Sequence, residues 1–141
     1  MTIIHQQQPD DMSCSHTCLA MLLGIPVSEV VKRIKTFDGG MNTKDLYGAL
    51  DICKFEWNAL IFNNLVVNGF YMATVPSVNV QSGGHAVILE LTDEKITVHD
   101  PNKGREGKKF YGEGGCPLKY FSELVLIGKV GFLPNKEIQL S

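Results

Sequence analysis

The 141-residue chain has no apolar run near the roughly 20 residues that a membrane-crossing helix needs. Its opening, MTIIHQQQ, lacks the charged flank and long apolar stretch of a secretory signal peptide. There is no excess of basic charge: the formal net charge is -2, which gives no reason to expect a nucleic-acid surface. Cysteine is scarce and scattered, at positions 14, 18, 53 and 116, which is too little for a disulfide scaffold and leaves reduced thiols as the expectation. Internal repeats, linkers and low-complexity tracts are also missing. These absences leave a soluble, cytoplasmic protein as the expectation, with no membrane span. At 44% hydrophobic and 20% charged, residues 1–141 suit one domain able to bury a core without metal or disulfide support.

What is present divides by position. Residues 14 to 23 are apolar on almost every face, as in a helix buried inside a domain, and Gly24 followed by Pro26 ends it. A second helix is predicted from an N-cap at Ser28, carrying Val30, Val31, Ile34 and Phe37 until Asp38, Gly39 and Gly40 stop it. A third runs from a cap at Thr43 through Leu46, Leu50 and Ile52. From Phe70 onward the pattern turns to short β-rich runs: YMATVPSV, HAVILEL, KITVHD and LVLIGKVGFL. Helices first and an antiparallel sheet second, without regular alternation, indicate an α+β domain. The basic stretch NKGREGKK, broken by Glu106, reads as a solvated turn.

The run GGHAVILELTDEKITVHDP predicts a hairpin. With Thr92 and Asp93 as its loop, Glu90 faces Lys95 and Ile88 faces Thr97 on a solvent-tolerant side. The other side pairs Leu89 with Ile96, Val87 with Val98, and His85 with Asp100. Thr-Asp lacks the glycine that such a loop favours. A four-residue loop instead sets Asp100 opposite Val87, diagonal to His85 and on the same face. Pro101 ends the second strand, so both polar groups stand at one end of the hairpin.

A cysteine attacks as thiolate, and Cys14 stands where a helix is predicted to begin, so unpaired N–H groups and the helix dipole favour its anion. A neighbouring imidazole with a carboxylate behind it completes a nucleophile, base and orienter, which His85 and Asp100 supply. The rival histidines fit less well. His16 is about 200° around the helix from Cys14, His99 alternates away from Asp100, and His5 precedes the helix. An oxyanion donor is also required; the Cys14 N–H is one, and Gln6, Gln7 and Gln8 are candidates for a second.

QPDDMSC followed by SHTCLAMLLG, the glycine-histidine strand and the closing Asp-Pro resemble the papain-like cysteine peptidases that process bacteriocins. These form the front domain of peptide-exporting ABC transporters that cut leaders after a double glycine. The end, KYFSELVLIGKVGFLP, is similar to the family's closing helix and strand. The family's glutamine stands six residues before its cysteine, so the resemblance selects Gln8 and sets Gln8, Cys14, His85 and Asp100 in order. Ser13 and Ser15 stand where the transporter domains usually have aspartate and glycine, and there is no transmembrane or ATPase portion, as in a free-standing relative.

The resemblance implies a papain-like fold and a peptidase acting on a peptide or protein substrate through a thioester, without a cofactor or metal. The same site with an amine as acceptor is a transferase. A catalytically silent domain that binds a peptide or protein is the alternative. A metal site from Cys14, His16 and Cys18 is a third, opposed by His16 pointing off the cysteines' face and by the lack of a second ligand pair. Cys18, Cys53 and Trp57 read as core residues, and Cys116 as an exposed thiol.

Overall fold

The apolar run after Ser13 forms helix α1, Cys14–Leu23, and Gly24 closes it in the left-handed conformation, φ 69°, with its N–H on the Ala20 carbonyl. The computed structural model describes residues 1–61, 64–65 and 67–140. Helix α2, Val27–Arg33, is capped by Pro26 rather than Ser28. The first N–H of the helix, that of Val27, is satisfied from far along the chain by Gln6 Oε1 at 2.9 Å, so no local serine cap is needed. The helix also stops earlier than predicted. Ile34 and Lys35 form strand β1, paired in parallel with β7, Ile138–Gln139, which leaves Phe37 beyond the helix and 91% exposed. Helix α3, Thr43–Ile52, is capped by Asn42 instead of Thr43, in a capping box with Asp45. The Thr43 hydroxyl is directed elsewhere, to Glu123 Oε2 at 3.0 Å.

Five strands make the main sheet: β2 (Glu56–Ala59), β3 (Gly69–Pro76), β4 (Gly84–Thr92), β5 (Lys95–His99) and β6 (Glu123–Lys129). Their spatial order is β2-β6-β3-β4-β5, and every neighbouring pair is antiparallel. The chain is therefore an α+β domain. The closing segment supplies strand β6 but no helix: residues 117–122 are irregular, and Leu118 and Phe121 pack over the sheet.

Both faces of the sheet are covered. On one, Met72, Ala86, Ile88, Val125 and Ile127 meet the helices through residues such as Leu19, Leu22, Leu46 and Leu50. On the other, Tyr71, Val75, Val87, Leu89 and Leu124 lie under Tyr111 and the loops. Burial of each large aliphatic side chain contributes about 1.5–3 kcal/mol, so the three interior strands, β6, β3 and β4, anchor the domain from both sides. On the hairpin side carrying Glu90, Lys95 and Thr97, those three are half-exposed or exposed as expected, but Ile88 is fully buried in the helix-facing core.

The hairpin loop lies one residue later than predicted. Thr92 pairs with Lys95, and Asp93 and Glu94 form the turn with φ of 49° and 70°. Left-handed φ at both positions is what a two-residue turn of this hand requires. Asn68 braces this glycine-free turn, accepting from the Asp93 N–H at 3.0 Å and donating to its carboxylate at 3.2 Å. The register therefore puts Leu89 opposite Val98 and Leu91 opposite Ile96. Extended by one residue, it sets Asp100 across from Val87 and diagonal to His85, as the four-residue alternative foresees.

Candidate active site

Cys14 is the first residue of α1, so its backbone N–H has no acceptor within the helix. The following eight residues of the helix, Ser15 to Leu22, are buried, which holds the thiol at a fixed place beside the beginning of β4. His85 enters from that strand and is itself buried. Its Nε2 lies 2.6 Å from Asp100 Oδ1, which leaves Nδ1 as the ring nitrogen for Cys14. Asp100 is completely buried and fully engaged. Its Oδ1 also accepts the Asn102 N–H at 2.9 Å, and its Oδ2 accepts the Tyr111 N–H at 2.7 Å. These donors fix the carboxylate, and the carboxylate fixes the imidazole.

Burial pushes the Cys14 thiol toward the neutral form, yet its pKa is lowered. A hydrogen bond and charge from His85, the Ala86 backbone N–H and the Ser15 hydroxyl outweigh the desolvation. Burial likewise acts to lower the His85 pKa, but the Asp100 hydrogen bond, with help from Cys14 and the carboxylate charge, lifts it to about 9. Both directions favour a thiolate beside an imidazolium.

The three glutamines have separate positions. Gln6 donates to the Ile25 carbonyl at 2.7 Å and accepts from Val27, which staples the α1–α2 turn. Gln7 lies against Gly104. Gln8 is buried, its N–H is bound to the Pro101 carbonyl at 3.0 Å, and its side chain lines a cleft of about 250 Å³ together with Cys14 and His85. Gln8 Nε2 donates to the Asp10 carbonyl at 2.8 Å, which leaves its second hydrogen for another acceptor. The link from Gln8 to Pro101 also ties the amide to the turn that carries Asp100.

The other histidines are occupied elsewhere. His16 is buried with Nε2 on the Ile34 carbonyl at 2.8 Å, His99 contacts Glu90, and His5 contacts the Lys103 carbonyl. Desolvation lowers the His16 pKa. Among the described residues no group of three His, Cys, Asp or Glu is placed to hold a metal ion. No single helix there is long and apolar enough to cross a membrane. Arg105 and Lys108 of the basic turn lie at 3.1 and 3.3 Å from Asp11 and line the Gln8 cleft. Cys18 and Cys53 are core residues, Trp57 stacks on Tyr47, and Cys116 is half-buried in the loop layer rather than exposed.

The Asn102 and Tyr111 donors, the Ala86 N–H and the Ser15 hydroxyl were not among the residues picked out by sequence. Ala86 and Ser15 had a local signal, as the neighbours of His85 and Cys14. A second cleft, of about 340 Å³, also opens at Cys14, lined by Met41, Leu46, Met72, Thr74, Ala86 and Glu123 among others. Cys14 and His85 line both clefts, whereas Gln8 lines only the smaller one. No protein-family model matches the chain, and none of the curated proteins matches it.

Proposed function

We propose that this protein is a cysteine peptidase of papain-like fold that hydrolyses an amide bond in a peptide or protein. The observation that carries this reading is the line Cys14, His85, Asp100 with buried Gln8 beside it. A helical layer carrying the thiol against an antiparallel sheet carrying the imidazole supports the finer fold assignment. The thiolate sulfur attacks the carbonyl carbon, and the oxygen that gains charge lies against the Cys14 N–H and Gln8 Nε2. His85 Nδ1 then gives its proton to the departing amine, which leaves a thioester. Water attacks the thioester with His85 as base, releasing a carboxylic acid and restoring the thiolate.

The test is digestion of a diverse peptide mixture by wild type and by Cys14→Ala, with new termini identified by mass spectrometry. Termini formed by wild type alone are the expected result. Identical peptide patterns from both proteins between pH 6 and 9 would overturn the proposal.

A further inference from the structure

The larger cleft contains a carboxylate for which the amide chemistry has no use. Glu123 opens β6 and pairs with Thr74 of β3, which pairs in turn with Ala86 of β4. The three form one rung on the helix-facing side of the sheet, and all three line the cleft with Cys14. Ala86 follows His85 and directs its N–H at the thiol. Two strand spacings, roughly 10 Å, therefore separate the backbone at Glu123 from the backbone at Ala86, whose N–H faces the thiol.

The carboxylate is held but not neutralised. Its Oε2 accepts from Thr43 at the first turn of α3, and the Tyr47 hydroxyl also hydrogen-bonds to the carboxylate. The Tyr47 pKa is raised first by burial, then by the charge of Glu123 and by this hydrogen bond. Among the described residues Glu123 forms no ion pair with lysine or arginine. Apart from Cys14 and the His85 ring, the cleft is otherwise lined by apolar and neutral polar groups such as Met41, Leu46, Met72 and Thr74. A half-buried carboxylate in such surroundings gains most from a cation that brings its own apolar stem. The cleft of about 340 Å³ has room for one long side chain and water.

We infer that Glu123 makes this cleft a cation subsite, so that the protein selects substrates with a lysine or arginine within two residues of the bond it cuts. The distance fits. An extended residue advances about 3.3 Å, and the four-carbon stem of lysine spans the remaining gap. The inference rests on the peptidase reading for its biological meaning, but the subsite is measurable without catalysis.

Two readouts separate the outcomes. Binding is measured on Cys14→Ala, with and without the further change Glu123→Gln, by fluorescence anisotropy, using hexapeptides in which each position in turn carries lysine, arginine, norleucine or glutamine. Cleavage of the same peptides is measured with wild type and with Glu123→Gln, whose amide still accepts from Thr43. Lysine or arginine at one position should bind and react about tenfold better than norleucine. That ratio should fall to within about twofold in Glu123→Gln, and it should shrink in wild type as salt rises from 50 to 500 mM. A Glu123-dependent lysine preference in binding without cleavage upholds the subsite and sinks the peptidase reading. Cleavage without a lysine or arginine preference, or with one that survives Glu123→Gln, overturns the subsite and leaves the peptidase reading standing. The absence of both cleavage and preference overturns both.

Discussion

Cys14 and Cys18 stand one turn apart on α1, and burial opposes ionisation of both thiols. Their proton affinities nevertheless move in opposite directions. Cys14 meets His85 and two further donors and becomes more acidic, whereas Cys18 is sealed in the core and its pKa is raised by desolvation and by the charges of Cys14 and Asp100. Two buried histidines show the same contrast. His85, backed by Asp100, is lifted to about 9, and His16, with only the Ile34 carbonyl as partner, is lowered by desolvation. Burial alone makes a group inert; burial beside fixed, oppositely charged partners makes it reactive. The helix mouth and the helix interior differ in that one respect.

The sharpest way to break this contrast is to remove each thiol in turn. Cys14→Ala should reduce kcat/KM for a cleaved peptide by about 10⁶-fold. Cys18→Ala should retain near-normal kcat/KM and cost about 1–2 kcal/mol in denaturant unfolding through the cavity it leaves. Equal losses of activity from the two would dissolve the distinction. Asp100→Asn keeps the shape but changes the hydrogen-bonding character opposite Nε2 and the Tyr111 N–H. It should lower kcat by about 10²–10⁴-fold, and a fall below tenfold would deny Asp100 its orienting role. Gln8→Ala should lower kcat by about 10²–10³-fold with little change in KM, whereas Gln6→Ala should act on stability through the Ile25 and Val27 contacts.

The smallest effect concerns the histidines and has a defined sign. A lowered folded pKa at His16 means that stability is complete above the unfolded value of about 6.5 and is lost as pH falls below it. The raised folded pKa of His85 means the reverse: its contribution is complete below about 6.5 and is lost as pH rises through about 9. His16→Gln should therefore flatten the acid side of a plot of Tm against pH between 5 and 7 without changing the alkaline side. An unchanged acid slope would show that another group carries it.

Much of this was legible in the sequence because it rests on short-range rules. The limits of α1 follow from an apolar run and Gly24, and the shared face of His85 and Asp100 follows from strand alternation on either hairpin register of equal parity. The errors arose where a distant segment decided a local outcome. Gln6 caps α2 in place of Ser28, β7 draws Ile34 out of the helix, and Asn68 steadies a turn at Asp93 that carries no glycine. The same limit applies to the site. Cys14, His85 and Asp100 carry chemistry that marks them, but Tyr111 contributes only a backbone N–H to Asp100. Glu123 enters the cleft through the pairing of β6 with β3, which no local pattern announces.

The central claim is that Cys14 is a thiolate because His85 is an imidazolium, and alkylation by iodoacetamide across pH 4 to 10 tests it most directly. In wild type the rate should reach a plateau well below the free-thiol value of about 8.5, and in His85→Ala that plateau should vanish. A single ionisation near about 8.5, the same in both proteins, would contradict the account and leave a peptide-binding domain without peptidase chemistry.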